Sequence, residues 1–256
     1  MFKFLRIAIL LVILATVAEE AWLARSRAVS WKNPLQVAIY PINGDGSEAT
    51  ANYLRGLRPE AFKAIENFFD EEAKRHGREI FHPVEITVAP ILAALPPQPP
   101  RGGSAFDNLL WSLQMRYWAW RHDALPGTKP QVRLFVLFFD AAAHDRLPHS
   151  VGVERGMIGL VNAYATQAMA GSNAVIISHE LLHTVGATDK YDLATGLPHF
   201  PDGYAEPSRS PRYPQDLAEI MGGRIPISET QADIPTGLHS TLIGDATAAE
   251  IGWGGK

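Results

Sequence analysis

The stretch SHELLHTVGATDKYD, from Ser178 to Asp192, concentrates side chains that can bind a metal ion and move a proton. His179 and His183 are four residues apart, so on a helix both imidazoles project from one face and can reach a single ion. Glu180 follows the first histidine directly, where the carboxylate of an H-E-x-x-H site serves as general base beside the metal. The chain has no cysteine, so any metal must be held by histidine and carboxylate.

A third ligand is predicted from the residues that follow the histidines. Gly186 falls three residues after His183, where a helix can end and the chain can turn back, and Asp189 comes three residues later. Two other carboxylates remain alternatives for the third ligand, because thermolysin-like and aminopeptidase-like enzymes take that ligand from further along the chain. Glu206 and Asp202 lie at such a distance, but the proline-rich surroundings of Glu206 argue against a helix there and favour Asp189.

The run HELLHTVGATD resembles the metzincin pattern H-E-x-x-H-x-x-G-x-x-H/D, in the variant with aspartate as final ligand found in snapalysin-type and immune-inhibitor-A-type peptidases. The resemblance covers about residues 157–223, and AEIMGG places Met221 where the family has its methionine turn. It implies a Zn²⁺ ion held by the two histidines and Asp189, with Glu180 as general base and acid and Met221 as an apolar floor that is not a ligand.

The chain departs from this family in two places. Several metzincins have a tyrosine just after the methionine turn, whereas this chain reads GGRIPIS, so the group that stabilises the oxyanion is unassigned. The candidates for that role are Tyr191, Tyr204, His199 and Arg224. Aspartate in place of histidine as third ligand leaves the site one charge less positive, which should make a metal-activated water less acidic.

Strand and helix patterns alternate along the chain up to the motif. The strand patterns are LQVAIYPI, PVEITVAPI, QVRLFVLFFD and MIGLVNAYA, and the helix patterns are PEAFKAIENFFDEEAKRHG, AFDNLLWSLQMRYWAWR and NAVIISHELLHTVG. This order predicts an α+β fold with helices packed on a mixed sheet, and the resemblance implies a metzincin-like one. We expect a single domain over 28–256, with an N-lobe at about 34–186, a loop-rich C-lobe at about 187–256 and the metal-binding helix at the floor of the cleft between them.

Two finer expectations concern single elements. In AFDNLLWSLQMRYWAWR the apolar residues follow helical spacing, and we expect the aromatic side chains to belong to the core; the residues concerned are Leu109, Leu113, Met115, Tyr117 and Trp120. The segments LPHS and GLVNAYA precede the metal-binding helix. From chain order we expect them to form the strand rim on which an extended peptide lies by edge pairing.

The N-terminus carries the layout of an export signal. Lys3 and Arg6 precede the twelve-residue apolar run from Ile7 to Ala18, and Glu19 and Glu20 end it. Residues 1–27 are therefore interpreted as a signal peptide, cleaved to release a soluble protein, or as an uncleaved N-terminal membrane anchor. Both alternatives place the rest of the chain outside the cytoplasm, in a bacterial periplasm or cell envelope, with the second attaching it to the inner membrane.

Composition narrows the partners. A net charge of −4 and the lack of a block of lysine or arginine argue against nucleic acid as a partner. The 46% of apolar residues is enough to form a hydrophobic core. The motif predicts an exported zinc metallopeptidase acting on a peptide or protein substrate. The alternatives are an envelope protein in which zinc only ties the C-lobe to the helix, and a hydrolase of a non-peptide amide. A structural zinc normally has a fourth protein ligand and little need of Glu180.

Overall fold

In a computed structural model of the chain, residues 30–100, 104–123, 125, 127, 129–148, 150–153 and 157–254 are described. The predicted signal peptide or anchor at 1–27 lies outside these residues. The strands of the main sheet are β1 (Leu35–Asn43), β2 (Val84–Val88), β3 (Val132–Phe139), β4 (Val151–Val153) and β5 (Ile158–Tyr164). They are ordered β2-β1-β3-β5-β4, and only β4 runs antiparallel to its neighbour. The mixed sheet is consistent with the α+β class predicted from the sequence.

Helices cover both faces of this sheet. They are α1 (Glu48–Gly56), α2 (Lys63–Arg75), α3 (Ala105–Arg121) and α4 (Ala170–Thr184), with a 3₁₀ turn at Pro59–Phe62 leading into α2. Since successive side chains of a strand point to opposite faces, the buried strands β1 and β3 each contribute side chains to two hydrophobic cores, one on each face of the sheet. One core joins the sheet to α2 and α4, and the other joins it to α3.

Helix α4, which carries the H-E-x-x-H motif, is held against the sheet at its first turn. Asn173 closes a two-point clamp on β5, because its side-chain oxygen accepts from the backbone N–H of Tyr164 and its side-chain nitrogen donates to the Tyr164 carbonyl, at 2.9 and 2.8 Å. Further along, Ile177 and Leu181 are buried against the sheet. The helix therefore has one fixed rotation, with its motif face turned away from the sheet.

The chain beyond α4 contains little regular structure among the described residues. Its elements are β6 (Ala218–Glu219), β7 (Ile225–Pro226), β8 (Ala232–Asp233), a 3₁₀ turn (Leu238–Ser240), β9 (Thr241–Leu242) and α5 (Asp245–Glu250). These segments share a core with the main sheet, since Met221, Ile251 and Trp253 are fully or almost fully buried in the cluster that holds the inner face of α4. The predicted loop-rich C-terminal part thus packs on the helix-bearing layer.

Three expectations about single elements were wrong or incomplete. Helix α1 was not predicted, although Ser47 caps it by accepting from the Thr50 N–H. On α3 only Met115 of the five predicted residues is buried, because the buried stripe of this helix runs through Trp111, Met115 and Ala119. The other four lie on the opposite side of the helix and are exposed; they are Leu109, Leu113, Tyr117 and Trp120. GLVNAYA forms β5, which is an inner strand, so it cannot be a free rim.

In the described part of the chain, no helix combines the length and the apolar character that crossing a bilayer requires.

Candidate metal centre

Three atoms that could bind a metal ion converge at the exposed face of α4. The Nε2 atoms of His179 and His183 lie 3.1 Å apart, and Oδ1 of Asp189 lies 3.2 and 3.1 Å from them respectively. Ligands about 2.0 to 2.1 Å from a tetrahedral ion stand about 3.3 Å apart, so this nearly equilateral triangle has the size that such an ion needs. In the described residues this is the group of histidines and carboxylates that could hold a metal.

Hydrogen bonds fix which nitrogen of each histidine faces the triangle. Nδ1 of His179 lies 2.9 Å from the carbonyl oxygen of Ile220, and Nδ1 of His183 lies 2.8 Å from that of Ala187. A carbonyl can only accept, so each Nδ1 carries the proton and donates it. Each Nε2 is then left with its lone pair pointing at the other two atoms. Metal-binding histidines are oriented in the same way, by a carbonyl that accepts from the ring nitrogen not bound to the metal.

The donor set fits a cation better than it fits a proton. With both Nδ1 atoms protonated, the triangle consists of two imidazole lone pairs and one carboxylate oxygen, all of them acceptors. One added proton could join two of the three atoms, but the third would still face an acceptor at hydrogen-bonding distance. A single cation at the centre satisfies all three, and nitrogen and carboxylate ligands in a tetrahedral arrangement suit zinc.

The turn after α4 brings Asp189 back to the histidines. The helix ends at Thr184, and Gly186 takes φ 109°, a left-handed conformation that glycine adopts without a side-chain penalty. The residues on either side of Asp189 are then tied to α5: Thr188 donates from its N–H and hydroxyl to Glu250, and Lys190 Nζ lies 2.7 Å from Glu250 Oε2. The aspartate is therefore held by its neighbours.

The turn that carries Met221 is held to this loop by a main-chain contact. The Lys190 N–H donates to the Met221 carbonyl at 2.9 Å, so the loop that carries Asp189 and the segment that orients His179 are hydrogen-bonded to each other. Met221 itself is fully buried in the core that includes the inner face of α4. Its predicted role as the floor beneath the histidines stays a prediction.

A buried carboxylate organises the same turn. Glu219 is fully buried and accepts from the N–H groups of Gly222 and Gly244 and from the hydroxyl of Thr247, at 2.7, 3.0 and 2.6 Å. Burial raises the pKa of Glu219, and these hydrogen bonds oppose the rise. The sequence analysis missed this residue. A single acidic residue among apolar ones, as in AEIM, was a signal that its carboxylate is buried and accepts hydrogen bonds from other parts of the protein.

Glu180 lies on the same turn of α4 as the two histidines and is buried. Burial alone would lower the pKa of His179, but Asp189, which can accept a hydrogen bond from the doubly protonated ring, and the negative charge of Glu180 outweigh burial and raise that pKa. For Asp189, burial is likewise outweighed, and its contacts with the two histidines hold its pKa far below the usual value. Several ionisable groups thus share one small volume, in which Glu180 is buried, the two histidines are partly exposed and Asp189 is exposed.

Tyr191 stands beside this group. Its ring centroid lies 6.3 Å from that of His179, and its phenol feels the negative charges of Asp189 and Glu180. Burial raises the pKa of the Tyr191 phenol to about 12, and the charges of Asp189 and Glu180 add to the rise. The phenol therefore stays protonated at neutral pH and can donate a hydrogen bond in the site.

The other candidates for the oxyanion role have different surroundings. The Tyr204 hydroxyl lies 2.8 Å from that of Tyr213, and the Arg224 guanidinium lies against the turn at Gly196. His199 is exposed, and its backbone N–H donates to the Lys190 carbonyl.

The two alternative ligands do not join the triangle. Glu206 forms a salt bridge with Arg209 at 2.9 Å, and Asp202 is not part of the group of converging donors. Asp192, next to the motif, accepts from Ala194 and Thr195 and caps a turn. Of the three carboxylates considered as third ligand, Asp189 is therefore the one that the fold brings to the histidines.

A comparison with known protein families finds none that matches this chain, and a search of curated proteins finds no relative that matches it.

Proposed function

We propose that this protein is an exported zinc peptidase that hydrolyses peptide bonds with Glu180 as its general base and acid. The observation that carries the proposal is the convergence of three acceptor atoms, His179 Nε2, His183 Nε2 and Asp189 Oδ1, within 3.2 Å of one another. Each histidine is held in the tautomer that leaves this atom free of a proton. Such a set suits a cation, and Glu180 beside it supports hydrolysis as the reaction.

Within this proposal the ion would be held by His179, His183 and Asp189. When bound, zinc supplies a Lewis acid that makes water more acidic and polarises a carbonyl group. Glu180 takes a proton from the water that attacks the peptide carbonyl and returns it to the nitrogen of the leaving amine, so the carboxylate ends in its starting state. Its place next to His179 on α4 keeps the carboxylate near the reacting atoms.

Tyr191 is proposed as the donor to the oxyanion. The phenol is close to the metal-binding group and remains protonated, since its pKa is raised to about 12. A hydroxyl that donates to the negative charge developing on the oxyanion would stabilise the transition state more than the substrate. This assigns the role left open by the missing tyrosine after the methionine turn.

The short strand β4 suits the binding of an extended peptide. It lies at the edge of the main sheet, runs antiparallel to β5 and packs against α4. An edge strand presents free main-chain groups that can pair with a substrate backbone irrespective of its side chains. This replaces β5 as the predicted rim and keeps the peptide within reach of the metal-binding helix.

A structural metal site is the second candidate function. In its favour, the Asp189 loop ties α4 to the C-terminal segments, which is what a structural ion would reinforce. Against it, the triangle has three protein donors in the described part of the chain, whereas structural zinc sites are closed by a fourth. A buried glutamate beside the first ligand also has no purpose in a purely structural site.

The test compares zinc content with peptide cleavage in the full-length protein. Wild type, Glu180→Gln and His183→Ala are purified, their metal is measured by mass spectrometry, and each is incubated with a mixed peptide library. We expect wild type and Glu180→Gln to hold about one zinc per chain, His183→Ala to lose it, and only wild type to cleave.

Glu206→Gln is the matched control, since it changes an exposed glutamate outside the triangle and should behave as wild type. If zinc binds and neither wild type nor Glu180→Gln cleaves any peptide, the structural alternative is favoured. If wild type and Glu180→Gln cleave equally, Glu180 is not the general base.

A further inference from the structure

Helix α3 carries a second apolar stripe on the side turned away from the sheet. Its buried side packs Trp111, Met115 and Ala119 against the strands. The opposite side exposes large apolar side chains at helical spacing, with Trp120 and Phe106 each 70% exposed. The full stripe is Phe106, Leu109, Leu110, Leu113, Tyr117 and Trp120. At 1.5 Å per residue it runs for about 21 Å along the helix.

Such a stripe is unusual for a surface in water. Single exposed apolar residues are normal, but a contiguous apolar strip on one helix marks an interaction site. The residue types also follow a pattern: leucines occupy the middle, and Tyr117 and Trp120 form a ring pair with centroids 6.0 Å apart at the C-terminal end. Exposed Arg121 follows directly, so aromatic rings and a cation stand together as they do at membrane interfaces.

The sequence outside the described residues indicates which partner covers the stripe. The run Ile7–Ala18 has no charged residue, and eleven residues from Glu19 to Val29 separate it from Ser30, where the described chain begins. Eleven residues span at most about 40 Å when fully extended. If the predicted anchor is embedded in a bilayer, the domain is kept close enough to that surface for α3 to touch it.

The point at which the chain enters the domain agrees with this placement. Trp31 precedes β1, and Arg133 lies near the start of β3, which runs parallel to β1. The residue two positions after α3, Asp123, pairs with Arg133 at 2.8 Å. Asp123, and with it the aromatic end of the stripe, therefore lies near the end of the sheet at which the parallel strands β1 and β3 begin.

We propose that the exposed face of α3 rests on the surface of the lipid bilayer that holds the N-terminal apolar segment. A second copy of the chain could bury the stripe, and so could Ile7–Ala18 folded back on it. However, that run is apolar on every side, so docking on one helix would leave most of it in water. A bilayer is the one partner that covers the run and the stripe together, and it places the metal centre, on the other face of the sheet, away from the membrane.

The test measures how deeply residues of α3 lie in the bilayer. Binding to vesicles would not test the proposal, because the full-length chain would bind them through its N-terminus alone. The chain has no cysteine, so a single introduced cysteine can carry a nitroxide label at one chosen place. Leu109→Cys and Leu113→Cys place the label on the stripe. Gln114→Cys, exposed on the flank of the same helix, and Leu193→Cys, 81% exposed far along the chain, are the matched controls.

Each labelled protein is reconstituted in vesicles of phosphatidylethanolamine and phosphatidylglycerol, and collisions with oxygen and with a water-soluble nickel chelate are compared. We expect labels at 109 and 113 to favour oxygen over nickel several-fold more than labels at 114 and 193, because oxygen concentrates in lipid. An equal ratio at all four positions means that the stripe faces water and overturns the proposal.

Two other outcomes also overturn it. If the label at 113 shows spin–spin broadening that disappears on dilution with unlabelled chain, a second copy covers the stripe. If it is shielded from both reagents in vesicles, protein covers it, and the N-terminal segment is the first candidate. None of these results depends on metal binding or cleavage, so the membrane proposal and the proposed function fail separately.

Discussion

The carbonyl oxygen of Ile220 accepts a hydrogen bond from Nδ1 of His179 at 2.9 Å, across 41 positions of the chain. This contact fixes the tautomer of the histidine and thereby directs Nε2 towards His183 and Asp189. The carbonyl belongs to a turn that is itself held by a buried carboxylate, Glu219, and by the N–H of Lys190, which donates to Met221. The geometry of the candidate metal site is therefore coupled to how well one turn of the C-terminal part is packed.

Replacing Glu219 by alanine should weaken both the fold and the metal site. The donors of Gly222, Gly244 and Thr247 would be left buried without their acceptor, which should lower the free energy of unfolding by roughly 2 to 4 kcal/mol. Zinc affinity should fall by about 10- to 100-fold, because the Ile220 carbonyl loses its support. Urea unfolding and competition with a chelating dye measure the two effects.

Glu219→Gln retains one acceptor oxygen and should lose less of both quantities than Glu219→Ala. Glu206→Ala removes an exposed glutamate and should leave both unchanged. The positioning role is refuted if Glu219→Ala loses stability but binds zinc with the affinity of wild type.

Gly222→Ala should damage the same turn by crowding. A Cβ atom at this position would lie 2.4 Å from the carbonyl oxygen of Gly203, and because that atom is backbone it cannot rotate away. The turn must shift, and we expect a loss of about 1 to 3 kcal/mol in the free energy of unfolding, together with weaker zinc binding. Gly56→Ala is the control, since a Cβ at the end of α1 meets nothing within 4 Å. Equal unfolding midpoints for the two variants would contradict the packing argument.

Tyr191→Phe should separate catalysis from metal binding. If the phenol stabilises the oxyanion, its loss should reduce kcat by roughly 10²-fold while zinc content stays that of wild type. Tyr204→Phe is the comparison, because that hydroxyl pairs with Tyr213 and is not beside the candidate metal ligands. Steady-state cleavage of a peptide found in the library gives kcat and KM. A Tyr191→Phe enzyme with unchanged kcat would leave the oxyanion without an assigned donor.

Asp123 predicts a pH dependence of stability. Burial opposes its ionisation, but hydrogen bonds from the Tyr40 hydroxyl and the Arg133 guanidinium outweigh burial and lower its pKa. A carboxyl whose pKa is lower in the folded state stabilises the fold above the unfolded value, near pH 3.9, and this contribution is lost as the pH falls from there through the folded pKa.

Asp123→Asn should therefore cost about 1 to 3 kcal/mol at pH 7 and flatten the loss of stability at acid pH. Denaturant unfolding at a series of pH values measures both effects. Asp216→Asn, at a carboxylate that is 72% exposed in a surface ion pair with Arg209, should change neither by a comparable amount. An acid limb of the same steepness in Asp123→Asn and wild type would exclude Asp123 as its source.

Local patterns were enough to predict the elements that carry the candidate site. The 3.6-residue spacing of apolar side chains predicted α4, and its end was predicted by Gly186, since a left-handed residue there suits glycine alone. The four strands predicted before the motif all exist, because runs of β-branched and aromatic residues favour buried strands. Pairing of two histidines four residues apart follows from helix geometry, so that feature needed no tertiary information.

The face of α3 shows where such patterns lose their meaning. Apolar residues at helical spacing occupy both sides of this helix, and the sequence does not say which side meets the sheet. The strands select Trp111, Met115 and Ala119, leaving Tyr117 and Trp120 outside. The prediction that these aromatics are core was wrong because burial is a property of the partner surface, and the partner surface comes from strands distant along the chain.

The sequence by itself determined that two histidines and a glutamate share one turn of a helix and that a glycine ends that helix. Only the tertiary structure decided that Asp189, not Glu206 or Asp202, completes the triangle, because its position depends on Glu250 and on the Met221 carbonyl. The physical reason is the distance along the chain between the interacting groups. Spacing within a helix is fixed by its own hydrogen bonds, whereas a returning loop takes the one path that satisfies polar groups supplied from elsewhere in the fold.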